Sequence, residues 1–275
     1  MSVTLGYSPC PNDTYIFFGL VHAKIAGAPA CEEVLEDIET LNRLALRGEL
    51  DLTKISFHAL AHLREEYCLL HSGGALGRGC GPLVVAREEV APQQLKNKKI
   101  AIPGELTTAA LLLRLFDPEI EQLEVMPFDR IMGATERGEV DAGVIIHESR
   151  FTYPEYGLAK VIDLGEWWEG ESGHPIPLGG ILARRSLGAE LIGRIDRALV
   201  QSIEYAHANP DAVRSYIRDH AQEMELEVMQ AHIDLYVNKY TLDYGPDGEA
   251  AIFDLIGRAE RAGIAPVVSA SLFIS

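Results

Sequence analysis

The chain has 275 residues, 47% of them apolar and 24% charged, the balance of an ordinary globular protein long enough for two modest lobes or one large domain. Its formal net charge is −17 at pH 7. With no basic surplus to displace counterions, this argues against nucleic acid or an anionic membrane as the main partner, and leaves room for a small substrate in a locally positive cleft.

The N-terminus reads directly into a strand, Val3 to Tyr7, with no basic n-region and no apolar h-region. No apolar run approaches the roughly 18 residues that span a bilayer. The expectation is a soluble, unexported, cytoplasmic protein. Cys10, Cys31, Cys68 and Cys80 form no C-x-x-C pair and no zinc-ligand rhythm, so four reduced, mostly buried thiols and no metal are expected. A tight loop, Pro9 to Thr14, opens a helix over Tyr15 to Lys24. An amphipathic helix over Ile38 to Arg47 stops at Gly48, and a strand follows over Leu52 to Phe57. His58 and His62 lie four apart on a helix, a weak metal pair and more simply a solvated face.

Gly77, Gly79 and Gly81 lie in a glycine-rich stretch. It is not a phosphate loop, because no Lys-Ser/Thr follows, nor a dinucleotide fingerprint, because a strand comes next. A close approach of backbone beside a cleft is the better reading. That strand is Pro82 to Arg87. The pattern then begins again: a strand at Lys99 to Ile102, Thr107 and Thr108 opening a helix over Ala109 to Phe116, a helix over Arg130 to Arg137 ending at Gly138, and a strand over Ala142 to Ile146. A second apolar strand covers Leu178 to Arg184. Helices follow at Ala189–Asn209, Ala212–Ala221, Glu225–Tyr240 and Glu249–Ala262, expected to pack on the first lobe.

The most informative feature is an echo: Arg47-Gly48-Glu49-Leu50-Asp51 recurs as Arg137-Gly138-Glu139-Val140-Asp141. Alternating strands and helices imply parallel α/β units. The two apolar strands flanking the second unit read as crossings between lobes, near Arg87 and near Leu178 to Leu182. The expected architecture is two α/β lobes around a central cleft. The larger is discontinuous, residues 1–87 and 183–275, and the smaller covers 88–182.

Ligands of open α/β sheets bind beyond the carboxyl ends of the strands. The residues to examine are therefore Lys54-Ile55-Ser56-Phe57-His58 in the first copy and His147-Glu148-Ser149-Arg150 in the second. The echo sets His147 opposite Phe57, at the rim of a cleft. Position alone leaves His147 either as an ordinary satisfied histidine or as a base, which an imidazole can be near neutral pH. Asp13-Thr14 and Thr107-Thr108 open helices at the same ends, where free amides and hydroxyls can cap the helix, hold a carboxylate, or do both. Arg150 is a candidate charge partner or a cover over a helix, and the indoles of Trp167 and Trp168 are expected to plug an interlobe gap rather than stack on a ligand.

Four stretches, Ser8 to Thr14, Gly73 to Gly79, Ile146 to Tyr153 and Asp163 to Trp168, resemble the 1,4-dihydroxy-6-naphthoate synthase family, and the likeness runs along essentially the whole chain. Tyr15 departs from it, standing where phenylalanine is expected. The resemblance implies a periplasmic-binding-protein-like fold of type 2 working as a cytoplasmic carbon–carbon lyase of menaquinone biosynthesis. It implies no metal or organic cofactor, and a small anionic substrate. It places the proton acceptor on His147 and substrate binding on Lys54, Ile55, Ser56, Thr107 and Thr108. Three other readings share the architecture: a chorismate dehydratase-like enzyme, a non-catalytic binding protein of a transporter, and a small-molecule-sensing regulatory domain.

Overall fold

The computed structural model describes residues 2–221 and 225–274. Residues 1, 222–224 and 275, which the larger lobe was expected to include, lie outside the described residues. The first half runs β1 (Ser2–Tyr7), α1 (Pro11–Val21), β2 (Ala30–Leu35), α2 (Ile38–Leu46), β3 (Leu52–Ser56), α3 (Phe57–Leu63), β4 (Tyr67–Leu69) and β5 (Ala75–Gly77). The second runs β6 (Leu83–Ala86), β7 (Ile100–Ile102), α4 (Thr108–Phe116), β8 (Leu123–Val125), α5 (Phe128–Arg137), β9 (Ala142–Ile145), α6 (Ser149–Thr152), β10 (Ala159–Asp163) and α7 (Leu164–Ser172). The long strand β11 (Ile176–Arg184) returns the chain. After it come α8 (Ala189–Ala208), α9 (Pro210–His220), α10 (Leu226–Tyr236), α11 (Lys239–Leu242) and α12 (Gly245–Arg261).

Two sheets result, and their orders match. One is β2-β1-β3-β11-β4, with β5 also on β11; the other is β8-β7-β9-β6-β10. In each, three parallel strands meet an antiparallel fourth, β11 against β3 and β6 against β9. The echoed motif has the same work in both. Gly48 and Gly138 follow α2 and α5 in the left-handed region, at φ 66° and 74°, where a side chain would be strained. Asp51 then accepts the Thr4 amide at 3.0 Å and Asp141 the Lys99 amide at 2.8 Å, each fixing the start of its strand against its neighbour.

The fourth strands are exchanged. The strand Leu83–Ala86, expected within the first lobe up to residue 87, pairs only with β9 and β10 of the second sheet. All of β11, expected in part within the second lobe, pairs in the first sheet. An apolar strand buried on both faces carries no mark of which sheet it joins. The chain therefore leaves the first sheet after Gly77 and rejoins it at Ile176. Between these points Gly81 lies against Gly165 so closely that a Cβ on Gly81 would stand 2.3 Å from the Gly165 Cα.

One core spans both sheets, joining Ile55, Phe57 and Leu182 to Val84, Ala142 and Val144, with Trp168 fully buried among them as the expected plug. A second core sets Ile16 and Phe17 of α1 against Ile192, Leu199 and Ile203 of α8, so that α1 is buried nearly all round. Helix α1 begins at Pro11, four residues before the expected Tyr15, because proline is preorganised for the first helical position and has no amide to leave unpaired. All four cysteines are free, and three are buried. None of the described helices is long and apolar enough to cross a membrane.

His58 departs from the solvated face expected of it: it is 2% exposed, and its Nδ1 has no hydrogen-bond partner among the described residues. Burial, helped by His62 and Arg114, lowers its pKa to about 4. An unfolded chain titrates this ring near 6.5, so the unfolded state binds the extra proton between the two values. Stability from His58 is therefore complete above about pH 6.5 and lost as pH falls through about 4, by up to about 3 kcal/mol. Urea unfolding of wild type and His58→Gln at pH 7 and pH 4.5 checks this: the variant should lose less stability on acidification.

Candidate functional site

The carboxyl ends of β3 and β9 and the N-termini of α1 and α4 converge on one cavity between the sheets. Its walls include Asp13, Lys54, Ser56, Thr107, Thr108, His147 and His232. The expected set is thus brought together, with Ile55 the exception. Side chains alternate along a strand, so Lys54 and Ser56 face the cavity while Ile55, 1% exposed, points into the core behind it.

Lys54 and Asp13 are both buried and meet at 3.0 Å. Asp13 also accepts from the Ser8 hydroxyl at 2.7 Å and from Asn12 Nδ2 at 2.9 Å, so the buried carboxylate is solvated by the fold itself. The Lys54 ammonium reaches the Gly73 carbonyl at 3.4 Å as well. Ser56 is aimed by Asn42, whose Oδ1 accepts the Ser56 amide at 3.0 Å and whose Nδ2 donates to the hydroxyl oxygen at 3.3 Å. The hydroxyl proton is left for the cavity.

Of the capping and anion-holding roles open to Thr107 and Thr108, the two hydroxyls take structural ones. Thr107 is the N-cap of α4: its Oγ1 accepts from the Ala110 amide at 3.2 Å and donates to the Gly104 carbonyl at 2.8 Å. Thr108 Oγ1 accepts from the Phe57 amide at 3.0 Å and donates to the Leu178 carbonyl at 2.6 Å, pinning α4 to both β11 and the end of β3. Both hydroxyl protons are spent on carbonyls. Among the described residues no acceptor is assigned to the amides of Thr108 and Ala109, which remain as the anion-attracting end of α4.

His147 follows β9 at φ 57°, one of two residues other than glycine with positive φ among those described. A left-handed backbone at a histidine is uncommon and here turns the chain sharply between β9 and α6. Its ring stands edge-on to Phe128, centroids 5.1 Å apart, and nearly parallel to His232 at 6.2 Å. Burial pushes its pKa below the ordinary histidine value; Glu148, Asp13 and Asp37 pull it up, and Lys54 pulls it down. The ring is therefore neutral near pH 7, the form that accepts a proton.

Arg150 is not a free charge at this site: it binds Asp163 at 2.6 Å and the Gly81 carbonyl at 2.5 Å, holding the crossing in place. Trp168 donates Nε1–H to the Pro175 carbonyl at 3.1 Å. His232 and Tyr236 were missed because α10 lies far along the chain and carries no motif. The only hint was a histidine and a tyrosine four apart, hence on one face of a helix. Among the described residues no cluster of three or more His, Cys, Asp or Glu could hold a metal ion.

Thr108→Val should cost about 1–3 kcal/mol by leaving the Phe57 amide and Leu178 carbonyl without their partner, whereas Thr108→Ser should stay near wild type. Urea denaturation midpoints of the three proteins check this.

Two sheets of this order, exchanging one strand each around a ligand-sized cleft, make the periplasmic-binding-protein-like fold. A Candida albicans protein described as having the generic periplasmic binding protein fold superposes with a TM-score of 0.68 at 14% identity, covering 98% of this chain and 92% of that one. A crystal structure of an Archaeoglobus fulgidus protein superposes at 0.89 with 39% identity, covering 96% and 98%. Residues 3–261 match the family model described as menaquinone biosynthesis, and the chain belongs to that family. The chain is also 51% identical over 273 residues to the 1,4-dihydroxy-6-naphtoate synthase of Thermus thermophilus, covering 99% of each. It is 47% identical to the enzyme of that name from Streptomyces coelicolor, covering 97% of this chain and 96% of the other.

Proposed function

We propose that the protein is a cytoplasmic carbon–carbon lyase that converts cyclic dehypoxanthinylfutalosine to 1,4-dihydroxy-6-naphthoate and dihydroxyacetone, with His147 as the proton acceptor. The observation that carries this reading is the neutral imidazole of His147, set on a left-handed backbone and lining one cavity with Ser56 and the N-terminus of α4. The relatives' name supports the product, since half of the residues are shared with them over nearly the full length.

The substrate carboxylate sits on the Thr108 and Ala109 amides, where the dipole of α4 favours negative charge. The Ser56 hydroxyl and the Lys54 backbone hold the bicyclic or sugar-derived part. The surrounding lobes exclude water and hold the scissile bond against His147. His147 removes a proton, the electron pair left behind breaks the carbon–carbon bond, and the three-carbon fragment departs as the ring becomes aromatic. Aromatisation supplies the driving force.

The test is incubation of the pure protein with cyclic dehypoxanthinylfutalosine, followed by mass and absorbance. Naphthoate should appear with wild type and fall by about two to four orders of magnitude with His147→Asn, while substrate affinity stays within about tenfold. Because only the neutral ring accepts a proton, wild-type kcat should rise with pH through a midpoint below about 6.5 and then level off. Binding without turnover would make the protein a receptor, and equal kcat in folded wild type and His147→Asn would remove His147 as the base.

A further inference from the structure

Two buried acceptors face each other behind the His147 ring. The His232 imidazole is fully buried, and its Nε2 lies 3.0 Å from Asn12 Oδ1. Asn12 already directs its Nδ2 toward Asp13, at 2.9 Å, so its oxygen faces His232 and the histidine must be the donor. That fixes the proton on Nε2 and leaves Nδ1 bare. Nδ1 points at Glu148 Oε2 from 3.9 Å, and both atoms are buried without a hydrogen-bond partner among the described residues. A carboxylate oxygen kept from water with no donor is costly in the resting protein. The cost is offset when a positive charge arrives beside it.

The place for that charge is the neighbouring ring. His147 stacks on His232 with centroids 6.2 Å apart and planes 15° from parallel, and it precedes Glu148 directly in the chain. We propose that Glu148 is a positioning residue whose carboxylate is the counter-ion for the proton His147 takes up, while His232 stays neutral. This rests on the reading of His147 as the base. His147 is faced by Asp13 of α1, Lys54 of β3, Asp37 before α2, Glu148 on its own turn and His232 of α10. Of the three carboxylates, Asp13 is already matched by Lys54 at 3.0 Å, and Asp37 is occupied capping α2. Glu148 is left to respond when His147 gains charge. Cys10 and Tyr236 also feel its charge, and both are held well above their ordinary pKa, by burial first and by Glu148 among the lesser causes, so both are neutral near pH 7.

Stacking explains why the partner ring stays neutral. A charged His147 disfavours charge on His232, whose pKa is already pushed well down by burial. A bare Nδ1 facing Glu148 also gives the carboxylate no competing donor, so its field is not spent on His232.

The experiment is NMR titration of histidine side chains in wild type, Glu148→Gln and Glu148→Asp, with the pH profile of naphthoate formation measured beside it. In Glu148→Gln the His147 midpoint should fall by about one pH unit. The kcat midpoint should fall with it, and KM on the plateau should change less than about threefold, because Glu148 does not line the cavity. Glu148→Asp keeps the charge and should restore most of the shift, which a merely structural role would not do. An unmoved His147 midpoint in folded Glu148→Gln overturns the proposal. Should that variant not fold, the Glu148 side-chain carbon signal in wild type decides. It should report a carboxylate at pH 7 and move in step with the His147 ring; a signal of neutral carboxylic acid from pH 6 to 8 overturns the proposal. Absence of naphthoate from wild type would end the functional reading but leave the titrations interpretable.

Discussion

A buried lysine and a buried aspartate, 3.0 Å apart beneath the cleft, set the terms for the rest of the site. Removing two charges from water is expensive, and their attraction repays it only where geometry is good and the remaining lone pairs and protons are satisfied. Lys54 comes from the end of β3 and Asp13 from the first turn of α1, so the pair fixes the entry of that helix against the sheet. Asp13 in turn needs the Ser8 hydroxyl and Asn12 amide, and orienting Asn12 dictates the tautomer of His232 on α10. A chain of obligatory hydrogen bonds thus runs from the first sheet to the C-terminal helices. Breaking its first link leaves a buried charge alone, so the network specifies one arrangement rather than adding stability at every bond.

The second lobe contributes through a contact of another kind. Thr108 accepts from the Phe57 amide and donates to the Leu178 carbonyl, so one hydroxyl ties α4 to β11 and to the start of α3 just past β3. The Leu106 amide points at Glu39 Oε2 of α2, 3.3 Å away, nearby. With both threonine hydroxyls engaged, the end of α4 offers amides whose positions are set by backbone. Donors held in this way need little reorganisation when an anion arrives.

Much of this arrangement was legible because local signals were strong. The repeated Arg-Gly-Glu-x-Asp units predicted two helix stops, two strand starts and the facing positions 57 and 147, and a glycine in left-handed conformation sits at each stop. The sequence was silent wherever the answer depended on partners distant along the chain. Nothing in Leu83–Ala86 says that it pairs with β9 rather than β3. Nothing in His232 says that its ring lies beside that of His147. Ile55 was grouped with its cavity-facing neighbours because a motif read as a string ignores the alternation of a strand. His58 was read as solvated because a helix carrying two histidines looks polar until a second helix covers it.

The divergence between the two copies is where a duplicated scaffold becomes a site. Position 57 of the first copy is a phenylalanine, 1% exposed, that enters α3 directly and fills the core between the sheets. The equivalent position of the second copy is His147, partly exposed, in a backbone region that costs roughly 1–3 kcal/mol for a side chain other than glycine. Continuing into a helix as Phe57 does would relieve that strain. Instead α6 begins only at Ser149, held by Arg150 through Asp163 and the Gly81 carbonyl, and the turn before it is kept sharp. The proposed base is therefore aimed by its backbone and by an ion pair three residues on, with its side chain in the cavity wall. A glycine here would relax the turn but remove the imidazole, and a helix would bury it where Phe57 lies. Strain at residue 147 is what lets one half of a symmetric fold present a cavity-lining imidazole, the proposed base, where the other presents a core side chain.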